Sequence, residues 1–348
     1  MASRGSPFEP LKLTDDEEKD CYDRAFQLLE RTLRSYDERD AEGERGRRHH
    51  SKLDSSRWKL LKTQANASIY VAHSATVHQD DGICGEIENA ITLLTAGTIR
   101  GELDEVMLGL KAIDVNSISF RTELPGNHPV DCAVLAELLG PKEVDPFDSL
   151  ALPGSYLLTL TATGTMTRSN GDRIGYEVVQ PVRFPQCPLL SGTVRNDVMY
   201  AAIFKQQEPG LVDVYIPTYV ESQSTLLDKV VISVTWKATL VFWDALQLAE
   251  MKKLQFAMHH CRTERQKQQQ TSLSACKRCS ERPSMLKRLG GIGHNDKYSC
   301  VLCDVSMCSE CRVERTLKVP EENSGRLKDQ LIQELKAEVD ELRAIISE

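Results

Sequence analysis

Between Trp58 and Trp236 one kind of segment recurs, and that recurrence restricts the fold more than any other feature. ASIYVAHS, AITLLTAGTI, SISFRTEL, GSYLLTLTATGTM, IGYEVVQPVRF, VMYAAIFKQ, LVDVYIPTYV and KVVISVTW are rich in Val, Ile, Thr and aromatic residues and stand between turn signals. Many alternate apolar with polar side chains, as an antiparallel sheet with one buried face does. The alternation assigns Val212, Val214, Ile216, Val230, Ile232 and Val234 to inward faces. Helical periodicity interrupts the strands in GELDEVMLGLKAI, where Leu103, Val106, Met107 and Leu110 share one face. After the last strand, LVFWDALQLAEMKKLQFAMHHC reads as a long helix, with Leu246, Ala249, Lys253 and Phe256 sampling its faces. A twisted sheet must cover its apolar face, and this helix is the expected cover. The space between them suits an apolar ligand.

Ahead of the strands, Thr14-Asp15-Asp16-Glu17 forms a capping box, and Ala25, Leu28, Leu29 and Leu33 follow at helical spacing. The pattern predicts a helix to about Tyr36, then a charged linker from Asp37 to Ser56. A chain of 348 residues has room for two domains. Its net charge of −8 argues against a general nucleic-acid binder, so no nucleic-acid partner is expected. MASRGSPFEP has no apolar signal region, and no apolar run approaches the ~18 residues of a membrane span. The expected location is cytoplasmic.

Eleven cysteines are an odd number, and six of them make three CxxC pairs within 36 residues: Cys276/Cys279, Cys300/Cys303 and Cys308/Cys311. In a chain with no export signal such pairs read as metal ligands rather than disulfides. Zinc takes four tetrahedral ligands, and a CxxC turn presents two thiolates together. One pairing joins Cys276/Cys279 to Cys300/Cys303 as C-x2-C-x20-C-x2-C, a ribbon spacing. RRHH (47–50) and HHCR (259–262) have no matching cysteine pair and read as solvated surface.

From Thr14 to Arg262 the order of strands and helices resembles the START-like, or helix-grip, fold of lipid-transfer proteins. WKLLKTQANASIYVAH resembles its opening hairpin, and IRGELDEVMLGLKAID its strand followed by a helix. YSCVLCDVSMCSEC resembles the core of a FYVE-type finger, whose two zinc sites interleave. That resemblance implies a second pairing, in which Cys276, Cys279, Cys308 and Cys311 close one site. Cys300 and Cys303 then lack a fourth pair, because no cysteine follows Cys311, and the finger is degenerate. His294 and Asp304 do not complete a second tetrahedron, so one zinc per chain is expected.

In that family a basic, His-containing run before the third cysteine holds a phosphoinositide. Here it reads His294-Asn295-Asp296-Lys297-Tyr298-Ser299, with one Lys and an Asp, so specific capture is not expected. MLKRLGGIG (285–293) stands where the family's membrane-inserting loop stands, with Met285, Leu286, Leu289 and Ile292 interleaved with Lys287 and Arg288. The resemblance thus implies peripheral contact with an anionic membrane, endosomal in kind, or equally a small finger core made of those apolar residues.

The implied architecture is α+β. A disordered N-terminus (1–13), a START-like domain (14–266), a linker (267–275), a FYVE-related zinc finger (276–320) and a C-terminal helix (325–348) are expected in order. In the last, Ile332, Leu335, Val339, Leu342 and Ile346 are spaced as a heptad seam, which serves a weak homodimeric coiled coil or a helix folded back on its own body. There is no GxSxG, P-loop or HExxH, and a RING-type ligase needs eight ligands. The expected function is non-enzymatic: binding of a lipid or other apolar ligand, with the finger for membrane or protein contact. The alternative is an interaction adaptor whose core is filled.

Overall fold

The computed structural model describes residues 8, 11–45, 53–73, 90–111, 121, 131–135, 148–152, 155–191, 194–195, 197–221, 225–265, 276, 278–280 and 311. The chain divides into two compact units, Met1–Ala249 and Glu250–Glu348. In the first, helix α1 (Asp15–Arg45) opens the fold. The capping box forms as its residues dictate: the Thr14 backbone N–H donates to Glu17 Oε2 at 2.8 Å, and the Glu17 N–H to Thr14 Oγ1 at 3.3 Å.

Among the described residues ten strands make one sheet: β1 (Trp58–Gln64), β2 (Ala67–Ala72), β3 (Ala90–Arg100), β4 (Asp131–Val134), β5 (Asp148–Leu152), β6 (Ser155–Thr167), β7 (Arg173–Pro181), β8 (Val194–Arg195), β9 (Val198–Glu208) and β10 (Leu211–Glu221). Their spatial order is β1-β2-β3-β10-β9-β7-β6-β5-β4, antiparallel along this path, with β8 parallel to β6 off it. Helix α2 (Leu103–Leu110) follows β3. The chain then closes with α3 (Thr225–Leu240), a 3-10 turn (Val241–Asp244) and α4 (Ala245–Arg265).

The sheet is covered on both faces, which differs from the one-sided sheet that the alternation implies. On one face, Leu28, Leu29, Leu33 and Tyr36 of α1 pack on Leu94, Ile174, Val178, Met199, Ile203 and Tyr215. On the other, α2 and the 3-10 turn pack on Ile99, Ala202, Phe204, Val212, Val214 and Ile216. Further along that face, Trp236 of α3 packs on Ala67, Ile69 and Leu93. Polar residues in the alternating strands therefore fall into interior positions and need partners there. Asp213 on β10 meets the Arg39 guanidinium and the Tyr36 hydroxyl (2.9 Å) of α1. Arg39 in turn lies over the Tyr36 and Tyr215 rings, 4.7 and 5.0 Å from their centroids.

Close approaches fix α2. A Cβ at Gly109 would stand 1.9 Å from the Ala245 carbonyl oxygen, and one at Gly175 would stand 2.2 Å from Met107 Sδ. The space beneath α2 is filled by its own side chains.

Two expected assignments are corrected here. KVVISVTW is not a strand but the body of α3, so Val230, Ile232 and Val234 do not share an inward sheet face. Ile232, Trp236 and Leu240 recur at helical spacing and point at the sheet, whereas Val230 and Val234 are 57% and 54% exposed. Second, Asp37–Arg45 is not linker but the last part of α1. Arg168 on the β6–β7 hairpin holds Asp37 in a bidentate pair at 2.7 and 2.5 Å, a tertiary contact that overrides a composition typical of loops. Of SISFRTEL only Arg121 is described, and it is helical. The linker at 267–275 and the C-terminal helix at 325–348 lie outside the described residues.

Candidate functional site

Position 177 sits in the middle of β7, where its face of the sheet turns toward α2 and the 3-10 turn. Ile174 and Val178 face α1, so Gly175, Glu177 and Val179 face the opposite way. Register places Glu177 opposite Ala202 of β9 and Thr163 of β6, and places Tyr200 opposite Val179. A carboxylate is thus delivered to an interior whose neighbouring cluster is Phe204, Val212, Val214 and Phe242.

Glu177 is fully satisfied there. Arg121 donates to it twice, Nη1 to Oε2 at 2.6 Å and Nη2 to Oε1 at 2.9 Å, and the Tyr200 hydroxyl donates to Oε1 at 2.6 Å. Arg121 Nη1 also reaches the Leu110 carbonyl oxygen, 3.3 Å away, at the end of α2. Its guanidinium lies 4.9 Å from the centroid of Phe242, whose ring meets Tyr200 edge-on at 6.0 Å. The side chains are 16% and 1% exposed, so both charges have left bulk water and rely on each other. Burying such a pair brings little net stability against an apolar substitute, which makes it a candidate for recognition rather than for holding the fold.

Thr161, Val179 and Tyr200 lie in central strands on the helix-covered face, yet each keeps accessible surface. Thr159 and Thr163, also on that face of β6, are buried. The site is thus an apolar floor bounded by a threonine row and a paired charge. Val212, Val214 and Ile216, expected to face inward, belong to that floor and are fully buried.

In the second unit the sulfur atoms of Cys276, Cys279 and Cys311 lie within 4.8 Å of one another. Cys276 and Cys279 come from one CxxC turn, in which the Ser280 N–H donates to the Cys276 carbonyl at 2.8 Å. Thiolates around a tetrahedral zinc sit ~2.3 Å from the metal and hence roughly 3.8 Å from each other, so this trio fits such an ion. The trio joins the first CxxC pair to the third. Cys300, Cys303 and Cys308 lie outside the described residues, as do Met285, Leu286, Lys287, Arg288, Leu289 and Ile292.

Sequence reasoning missed Arg121 and Glu177. The available signal was a lone glutamate inside IGYEVVQPV, in phase with Val179. Its partner, 56 positions away, is not identifiable from pattern.

No family model matches the chain, and no curated protein does. Among solved structures the chain is similar to human StAR-related lipid transfer protein 5, at 14% identity and a TM-score of 0.43 over 67% of this chain and 97% of that one. It is also similar to human STARD10, at 13% identity and a TM-score of 0.41 over 74% of this chain and 88% of that one. A STAR-related lipid transfer protein from Xanthomonas axonopodis shares 14% identity at a TM-score of 0.38, over 55% and 98%. Likeness at this level carries no argument about fold or activity, and the fold stands on its strand order and helix placement.

Proposed function

We propose that the protein is a non-enzymatic binder of a lipid or similar apolar ligand, held in a START-like, helix-grip body between the sheet and its helices. The ligand's single polar group lies against Arg121, Glu177 and Tyr200, and its hydrocarbon part lies along Thr161 and Val179, which keep accessible surface. What carries this reading is the buried Arg121–Glu177 pair beside central-strand residues that keep accessible surface. In the same reading Cys276, Cys279 and Cys311 hold one zinc, with Cys308 as the fourth thiolate. This zinc organises a small FYVE-related finger for membrane or protein contact.

Two measurements test this. Organic extraction of the purified full chain, followed by mass spectrometry, should return a lipid that is reduced in Glu177→Gln and in Arg121→Met. An extract with no lipid, together with no uptake of fluorescent lipids by a delipidated sample, would sink the ligand reading. It would favour the filled-core adaptor, to which the close contacts of Gly109 and Gly175 under α2 lend support. Metal analysis should give one zinc per chain; none, or two, overturns the metal assignment.

A further inference from the structure

Helix α3 exposes two parallel rows of unlike chemistry. Val230, Val234 and Ala238 form one row and Lys229, Ser233 and Lys237 the next, each at intervals of four, and all six are exposed. At 100° per residue the order around the helix is buried face, basic row, apolar row. The buried face is set by Ile232, Trp236 and Leu240 on the sheet. Lys62 of β1 brings a third cation to the basic side, its Nζ 5.7 Å from the centroid of Trp236. Asp228, the only acidic residue of α3, falls on the side of the buried Thr235 and Thr239, away from both rows. Lys62, Lys229 and Lys237 make no ion pair among the described residues.

Solvation explains exposed lysines, but it does not explain two exposed valines in a row on a helix whose Ile232, Trp236 and Leu240 pack on the sheet. A helix with an apolar row beside a basic row fits the boundary of an anionic bilayer, where valines enter the acyl margin and lysines meet lipid phosphates. A second copy of the chain fits less well. A two-fold contact through this face would set lysines against lysines, with no carboxylate in either row to neutralise them. The chain as a whole carries −8, so an anionic surface would orient it with this face inward.

We propose that α3, with Lys62 beside it, docks the first unit onto anionic membrane through Val230, Val234, Lys229 and Lys237. This contact is separate from the finger and from any ligand in the interior. Docking is weak and electrostatically led, and it fades as salt shortens the screening length.

The test is co-sedimentation of the full chain with phosphatidylcholine vesicles, with and without about a third phosphatidylserine, at low and high salt. Binding should require phosphatidylserine and fall in high salt. It should weaken about fivefold for each lysine neutralised in Lys229→Gln and Lys237→Gln. Val230→Ser/Val234→Ser should weaken it too, while Lys287→Gln/Arg288→Gln should leave the α3 component in place. All these positions on α3 are exposed, and unchanged far-UV circular dichroism checks that the variants are folded. The proposal is overturned by any of three results: no phosphatidylserine dependence, loss of binding in the Lys287/Arg288 variant alone, or α3 variants that convert a dimer to a monomer with vesicle binding unchanged.

Discussion

Arg39 of α1 and Asp213 of β10 form an ion pair in the interior, with side chains 11% and 9% exposed, and it joins the first helix to the middle of the sheet. The Tyr36 hydroxyl shares the same carboxylate oxygen, and the Tyr36 and Tyr215 rings flank the guanidinium. Arg39→Ala removes the cation and leaves the Asp213 carboxylate buried without its guanidinium. The expected loss is about 3 kcal/mol of unfolding free energy, read by urea denaturation. Arg39→Ala/Asp213→Ala should recover part of it; a double variant worse than the sum of the two single ones would contradict this account of the clamp.

Two glycines are expected to fail for different reasons. Gly109→Ala places a methyl group against the Ala245 carbonyl, so α2 or the start of α4 must shift, costing about 1–3 kcal/mol. Gly171, in the β6–β7 hairpin, has φ +86, and a Cβ there would meet nothing within 4 Å. Gly171→Ala is therefore strained without being crowded and should cost about 1 kcal/mol. Thermal denaturation of both variants tests the distinction, since Gly171→Asn should recover much of the loss and Gly109→Asn none.

The thiols should sort by environment. Burial pushes Cys21 up from 9.0 to about 11 and moves Cys187 in the same direction. Both pack among Leu158, Leu160, Val182 and Phe184. Peptide mapping after brief alkylation at pH 8 should find both unmodified in the native chain and modified on unfolding. Because the native pKa is the higher one, the contribution of Cys21 to stability is complete below pH 9 and is lost as pH rises through about 11. Cys21→Ala should flatten that alkaline decline.

Removal of metal should act on one unit only. A chelator is expected to expose Cys276, Cys279 and Cys311 to alkylation while leaving the urea transition of the sheet unchanged. Cys279→Ser should reproduce the chelator's effect. If zinc content is unaffected by this substitution, the trio is not the site.

The strands in the middle of the sheet were legible because their alternation survives two-sided burial. In β10 the even positions Val212, Val214 and Ile216 face α2, while Asp213, Tyr215 and Tyr219 lie on the α1 face, where Tyr36 and Ser35 of α1 meet Asp213 and Tyr215. KVVISVTW misled because β-branched residues favour strands, whereas Ile232, Trp236 and Leu240 at intervals of four carried the helical signal that tertiary packing obeys. The charged end of α1 was illegible because Asp37 and Arg39 are held by Arg168 and Asp213, residues far away in sequence. Cysteine spacing pointed to metal ligation, and the structure brings together members of the first and third pairs, a group that could hold a metal ion. The interior charge pair announced itself by one residue of two.

The closing helical stretch breaks at Val241–Asp244, and that break is pinned on two sides. Trp243 Nε1 donates to the Thr98 carbonyl at 3.0 Å, while Phe242 lies under the Arg121 guanidinium and against Tyr200. One short turn therefore faces the interior charge pair with one ring and grips β3 with the next, and α3 leaves directly from its start. Four residues of tighter winding thus set where α3 ends and α4 begins, because neither ring can leave its place without giving up a contact to β3 or to the charge pair.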